Sequence, residues 1–292
     1  SIALTDRPEE AGAGAPAPSI AQVRRIPAGD GATALEVRQA AGPSDRFVYA
    51  GTPGAAVQAG DLSLDGSFGH LRMDGERVVQ AHMIGRSLSA PGFSLQLAHG
   101  EHTGEIVRID YERNLVYVDA DLPTDGRLRF QTVIFDSPDY SRNTSYTIYD
   151  IRREGDLCVI DLGRQRIILG QGTLDQAPPT PTRLTSLTPH PYTRPTFFAG
   201  KGVAKADFTT ITQVQRVQSA QPFIVDVRSS AGFEQGDTFY YLDLRPGDSF
   251  VIRNWAALTV ADDGSAEVVA TDDVELTIAG QRVEAAVRWP SG

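Results

Sequence analysis

Disulfide chemistry is closed to this sequence. Its 292 residues include a single cysteine, Cys158, so no internal bridge can form, and a stapled extracellular module is excluded. Cys158 sits in the apolar stretch 157–162, where a lone thiol behaves as a small buried hydrophobe. Lysine is nearly missing too. Lys201 and Lys205 are the only two, and arginine supplies the rest of the 27 basic residues. The net charge is −10, a sign that repels nucleic acid and anionic membrane, since phosphate neutralisation needs a basic footprint. A local arginine cluster would still accept an anionic polysaccharide. No apolar run approaches the roughly 20 residues that a membrane-spanning helix requires.

Catalytic signatures are also absent. The chain has no nucleophile-elbow glycine–serine motif, no phosphate-cradling glycine loop with lysine, and no helical His–Glu pair for zinc. It opens Ser1-Ile2-Ala3 rather than with methionine. That start implies either a removed leader or a segment of a longer polypeptide.

What is present is strand patterning. The apolar fraction is 41% and the charged fraction 22%, the range of a folded globular chain long enough to sustain its own core. Residues 5–18 are rich in Ala, Gly, Pro and Glu and predict an extended arm over 1–33. From Ala34 onward, runs of five to eight residues alternate apolar and polar side chains between turn residues, and none shows the 3.6-residue period of a helix. Asp74-Gly75 marks one hairpin and residues 111–113 another, between strands at 106–110 and 114–119. Further strands are predicted at 129–136, 144–151, 157–162 and 166–169, then at 208–217, 223–227, 238–242, 249–252, 257–261, 266–270, 274–278 and 283–289. The fold class is all-β: stacked antiparallel sheets of β-sandwich type, divided into two β units at 34–171 and 197–292. Between them, 172–196 is proline-rich and is either a linker or a crossover on a sheet face. Leu184 and Leu187 favour the crossover. The strand order 106–136 is echoed at 211–241, as a repeated β module would produce.

Two clusters could carry chemistry. His99-Gly-Glu-His102 offers imidazoles suited to a divalent metal such as zinc, provided that Gly100 turns both side chains to one side. The plainer account is a solvated hairpin loop. The loop 136–146 holds Tyr140, Arg142, Asn143 and Tyr146, which together could stack on and hydrogen-bond a sugar. In β-elimination of a uronic-acid polymer, Arg or Asn would neutralise the carboxylate and Tyr would take the C5 proton. A strand connection capped by Asp and Pro is the alternative. In 239–241, Phe239 and Tyr241 share one strand face and Tyr240 takes the other, where it is available to a ligand. Asp243 and Asp248 flank the Pro246-Gly247 turn and predict a structural role there.

Several phrases together resemble a known family. They are Phe-Gly-His-Leu-Arg-Met-Asp-Gly at 68–75, Gly-Glu-Ile-Val-Arg-Ile-Asp-Tyr at 104–111 with Val-Tyr-Val-Asp at 116–119, and Phe-Asp at 135–136 with Asn-Thr-Ser-Tyr-Thr-Ile at 143–148. Gly-Asp-Thr-Phe-Tyr-Tyr at 236–241 with Pro-Gly-Asp-Ser-Phe at 246–250 completes them. This pattern, over about 45–280, resembles the C-terminal β region of heparinase II/III-type polysaccharide lyases. The resemblance implies stacked sheets behind a helical catalytic domain, bacterial origin, a secreted or periplasmic location and a uronic-acid-containing polysaccharide as ligand. The helical domain that carries the family's catalytic residues has no counterpart here, so none is carried over. The chain is then expected to be an accessory β segment that lines a polysaccharide cleft beside a catalytic helical domain or subunit, and to be inactive alone. A stand-alone carbohydrate-binding or adhesion module and a structural protein of a phage or cell envelope are the alternatives.

Overall fold

The computed structural model describes residues 20–51, 56–188 and 195–290. Most of the predicted arm, residues 1–19, lies outside them, as do His190 and its proline-rich neighbours at 189–194. Among the described residues the chain is all-β, with one short 3-10 turn at Pro195–Phe198 and no α-helix. Three mostly antiparallel sheets form, and none closes into a barrel.

The chain divides into two compact units, and the division is not in chain order. Unit 1 comprises the described residues up to Glu101 together with 254–290, and unit 2 comprises 102–253. The two β units expected at 34–171 and 197–292 are therefore replaced by an inserted arrangement. Alternating patterns mark strands but not their partners, and the partner of Arg77–Ala90 is the distant Trp255–Val260.

Unit 1 is built on one twelve-stranded sheet. Ile20–Ile26, Ala32–Gln39, Ser44–Ala50, Leu62–Asp74 and Arg77–Ala90 follow one another as antiparallel neighbours. Trp255–Val260 and Ala266–Ala270 extend this row, and Ala286–Arg288 pairs parallel at its end. The arm predicted over 1–33 thus needs correcting, because Ile20–Ile26 is a strand. It pairs with the next strand, with Val23 opposite Val37 and Arg25 opposite Leu35. The long hairpin turns at Gly75 with φ of 62°, and Asp74 pairs with Arg77. Midway, the pairing slips at Gly66 and Gly85. A Cβ on Gly85 would stand 2.2 Å from the Gly66 Cα, and φ there is 138°. Only two glycines admit so close a backbone approach, and the resulting bulge bends both strands. Beyond the bend Leu64, Leu88 and Leu95 join Leu71, Met83 and Leu258 in one core.

Unit 2 contains the other two sheets. The seven-stranded sheet runs in the order Thr144–Thr147, Thr132–Asp136, Ser249–Arg253, Glu101–Asp110, Leu115–Asp119, Leu157–Asp161 and Asp150–Glu154. The stretch 144–151 is two strands rather than one. The six-stranded sheet runs Ile168–Thr173, Thr238–Leu242, Gly202–Lys205, Ile211–Ala220, Phe223–Val227 and Arg183–Ser186. Val116, Phe135, Cys158 and Ile160 from the first pack with Ala204, Leu242 and Leu244 of the second. Phe239 and Tyr241 face the other way, into a cluster with Phe223, Val225 and Leu184. Leu184 is paired with Val225, so the proline-rich stretch contains an edge strand at its middle.

Candidate functional site

Two places in unit 2 gather chemistry: a buried polar cluster and an open cleft. The cluster begins at the boundary of Gly202–Lys205 and Thr238–Leu242. Gly202 is the partner of Leu242 in that antiparallel pair, which sets Lys201 against Asp243 one step beyond. Both side chains are out of solvent, at 0% and 4% exposure, and Lys201 Nζ lies 2.9 Å from Asp243 Oδ1. Nζ also donates to Thr144 Oγ1 and stands 3.9 Å from the Tyr140 ring centroid. The Tyr146 hydroxyl donates to Asp243 Oδ2 at 2.6 Å. The Tyr140 hydroxyl donates to Asp248, whose carboxylate also accepts the Arg245 backbone N–H at 2.7 Å. Two cations, Lys201 and Arg245, face two carboxylates, so the network is close to neutral and can persist without water.

Burial governs the protonation of its members. It lowers the Lys201 ammonium, against the opposing pull of Asp243 and Asp248. It raises the Asp248 carboxyl despite the Tyr140 hydrogen bond and Arg245, and it raises the Tyr140 phenol as well.

The cleft opens elsewhere on unit 2, with a volume of about 670 Å³. Tyr240 forms part of its wall, beside Gln171, its cross-strand partner. Three rings are stacked here. Tyr240 lies 5.5 Å from Phe208, and Phe208 lies 4.8 Å from Tyr111 at an interplanar angle of 12°. Phe208 adopts φ of 57° in a turn where Asp207 accepts hydrogen bonds from the Thr209 N–H and hydroxyl. That local geometry rotates the ring onto Tyr240. Around the rings stand Glu112, Asn114 and Arg166. Asn114 is committed to the fold, donating to the Gly163 carbonyl and accepting from the Ile167 N–H. Arg166 and Glu112 are exposed and point to solvent-accessible space at the rim. Such a mixture of ring faces, a guanidinium and amides can hold a sugar by stacking and polar contacts together.

The expected sugar-binding residues are therefore split. Tyr140 and Tyr146 belong to the buried cluster, Arg142 and Asn143 are exposed in the turn before Thr144–Thr147, and Tyr240 alone lies at the cleft. His99 donates its N–H to Asp272 and places Nδ1 2.9 Å from the same carboxylate, while His102 is a buried strand residue. Among the described residues no group of three or more His, Cys, Asp or Glu side chains is placed to hold a metal ion. Lys201, Arg166 and Phe208 are residues that motif reading passes over, while Asp243 is legible only as a turn-flanking structural residue. The one available signal was rarity: Lys201 is one of two lysines in a chain that otherwise uses arginine. No family model, curated protein or solved structure matches the chain.

Proposed function

We propose that this chain is the accessory β segment of a polysaccharide-processing protein of the lyase type, and that its own work is to hold a uronic-acid-containing glycan at the Tyr240 cleft. The open cleft, with Tyr111 and Tyr240 in its wall, each backed by Phe208, and a guanidinium at its rim, carries this reading. A pyranose presents a C–H face to an aromatic ring and hydroxyls at its edge. A uronate adds a carboxylate that an arginine receives in bidentate fashion. The net charge of −10 repels any polyanion over the rest of the chain, so the uronate is held only where Arg166 meets it. Chemistry is assigned to a catalytic helical domain or subunit. The Lys201–Asp243–Tyr146 cluster is buried among its own partners, where no substrate ring could reach it.

Isothermal titration against polygalacturonate, alginate and a neutral glucan tests this. Binding to the two polyuronates is expected, with Arg166→Ala weakening it about tenfold to a hundredfold, as loss of a charged hydrogen-bonded contact does. Tyr240→Ala is expected to weaken both polymers alike. The protein alone should generate no ultraviolet-absorbing unsaturated uronate. Absence of binding to every polymer, or binding that is indifferent to both substitutions, would sink the reading.

A further inference from the structure

Lys201 and Asp243 form the only fully desolvated lysine–carboxylate pair among the described residues. Their surroundings contain more than an ion pair requires. The two residues stand opposite each other one step past the ends of adjacent antiparallel strands, next to the Gly202–Leu242 pair. The backbone holds each of them: the Asp243 N–H donates to the Ile167 carbonyl and the Lys201 carbonyl accepts from the Val214 N–H. Nζ sits 2.9 Å from Oδ1, which leaves the carboxyl carbon one bond farther on. Tyr146, itself buried, donates to the other oxygen, Oδ2, at 2.6 Å. Thr144 touches both partners, accepting from Nζ and donating to Oδ1 at 3.2 Å. The Tyr140 ring closes the side of the ammonium at 3.9 Å, and Asp248 holds that ring in place through the phenol.

We infer that Lys201 and Asp243 are the site of an intramolecular isopeptide bond, formed spontaneously once unit 2 has folded. The step balances with no reagent beyond the two side chains. A proton passes from the Lys201 ammonium to Asp243 Oδ1, leaving a neutral amine and a carboxylic acid. A low-polarity interior favours that neutral pair far more than water does, and burial already lowers the Lys201 ammonium. The amine lone pair attacks Cγ, the C–N bond forms, and negative charge develops on Oδ2, where the Tyr146 hydroxyl is already aimed. A second proton moves from nitrogen to Oδ1, the C–Oδ1 bond breaks, and one water leaves. The product is a secondary amide between Nζ and Cγ. Fixed strands supply the proximity that such a condensation lacks in solution. In this scheme Tyr146 is catalytic, because it touches the reacting carboxyl. Tyr140 and Asp248 are positioning residues.

Intact-mass spectrometry of the purified full-length chain, under denaturing conditions, decides the matter. The expected mass is that of the sequence less one water, with a branched peptide joining Lys201 to Asp243 after proteolysis. Asp243→Asn changes the leaving group and is expected to release ammonia instead of water while giving the same branched peptide. Tyr146→Phe, which retains the ring in its packing, is expected to leave most of the chain at its unreacted mass while circular dichroism stays unchanged. Arg77→Ala, at the surface of unit 1, should react fully. A wild-type chain at the full sequence mass overturns the inference. So does a water lost at any pair of residues other than Lys201 and Asp243. A Tyr146→Phe chain that reacts as completely as wild type removes Tyr146 from the chemistry.

Discussion

Unit 1 and unit 2 are both all-β, yet they place charge differently. In unit 1 the buried carboxylates of the sheet are met by arginines that stay partly exposed. Asp45 receives two hydrogen bonds from Arg72, at 2.8 and 2.9 Å, and lies 2.8 Å from His70 Nε2. Glu36 is flanked by Arg24 and Arg38 on its own and the neighbouring strand. Beside its hydrophobic cluster, unit 1 also buries Asn254, Thr271 and Asp272. In unit 2 one pair, Lys201 with Asp243, lies inside at the ends of the strands, with Lys201 completely enclosed. Where an arginine can reach a carboxylate from an open sheet face, the pair keeps its cationic head in water. Stacked sheets have less free face, and their strand ends must be tied by polar groups that stay satisfied out of water.

The contrast predicts unequal sensitivity. Lys201→Met deprives the buried Asp243 of its nitrogen partner, as ion pair or as amide, and the expected loss is about 3–5 kcal/mol. Hydrogen exchange should rise across Gly202–Lys205 and Thr238–Leu242 and stay low around Met83. Equal acceleration in both units would abolish the distinction. Leu88→Ala, at a fully buried core position of unit 1, is expected to cost about 2–5 kcal/mol with the opposite exchange pattern.

Acid should separate the units by sign. Burial pushes the Asp45 carboxyl up, but the hydrogen bonds and charges of Arg72 and His70 outweigh it and hold the group below the ordinary 3.8. The unfolded chain thus binds that proton more readily, so Asp45 stabilises unit 1 above 3.8 and its contribution fades as pH falls through the lowered folded value. His82 is lowered from 6.5 by burial and by neighbouring His70, and its contribution likewise fades on acidification. Asp248 in unit 2 is raised by burial, so its contribution is full below 3.8 and is lost as pH rises through the folded value. Unit 1 is expected to lose exchange protection before unit 2 as pH is lowered, followed residue by residue by NMR. The smallest expected effect is at the surface of unit 1. Arg77→Ala removes a 2.9 Å contact to the almost fully exposed Asp262, and thermal denaturation should register no more than about 0.5–1 kcal/mol.

Period-2 alternation was enough to read the fold class and most strand positions. Phe223–Val227, Thr238–Leu242, Ala266–Ala270 and Val274–Ile278 fall at the residues that the pattern marks. The hairpin ending at Leu115–Asp119 is equally visible, because Asn114 tolerates the φ of 57° its turn demands. Pairing was not readable, since alternation is blind to which strand lies alongside. That is why Trp255–Val260 was grouped with its chain neighbours rather than with Arg77–Ala90. Gly202–Lys205 was missed outright, because three consecutive residues are buried there and no alternation survives. At the cleft, the side on which Tyr240 stands was legible from its neighbours Phe239 and Tyr241. Its partners Phe208 and Arg166 were not, as each arrives from a loop far away in sequence. Tyr140 and Tyr146 carried the polar-aromatic signature of a binding loop. The same residue types also serve to satisfy buried carboxylates, and only Asp243 and Asp248 reveal which use applies.

The insertion of unit 2 between Glu101 and Asn254 has a consequence for biosynthesis. As the chain emerges from the ribosome, Gln80 to Ile84 have their meander partner on one side and nothing on the other until Trp255–Val260 is made. At about 5–20 residues per second, that wait is on the order of ten seconds. Unit 2 is complete as soon as Arg253 has been added, and it can fold while unit 1 still presents an open edge. A nascent chain stalled before Trp255 would expose that edge to any neighbouring polysome product, which makes the interval the most aggregation-prone moment in the life of this protein.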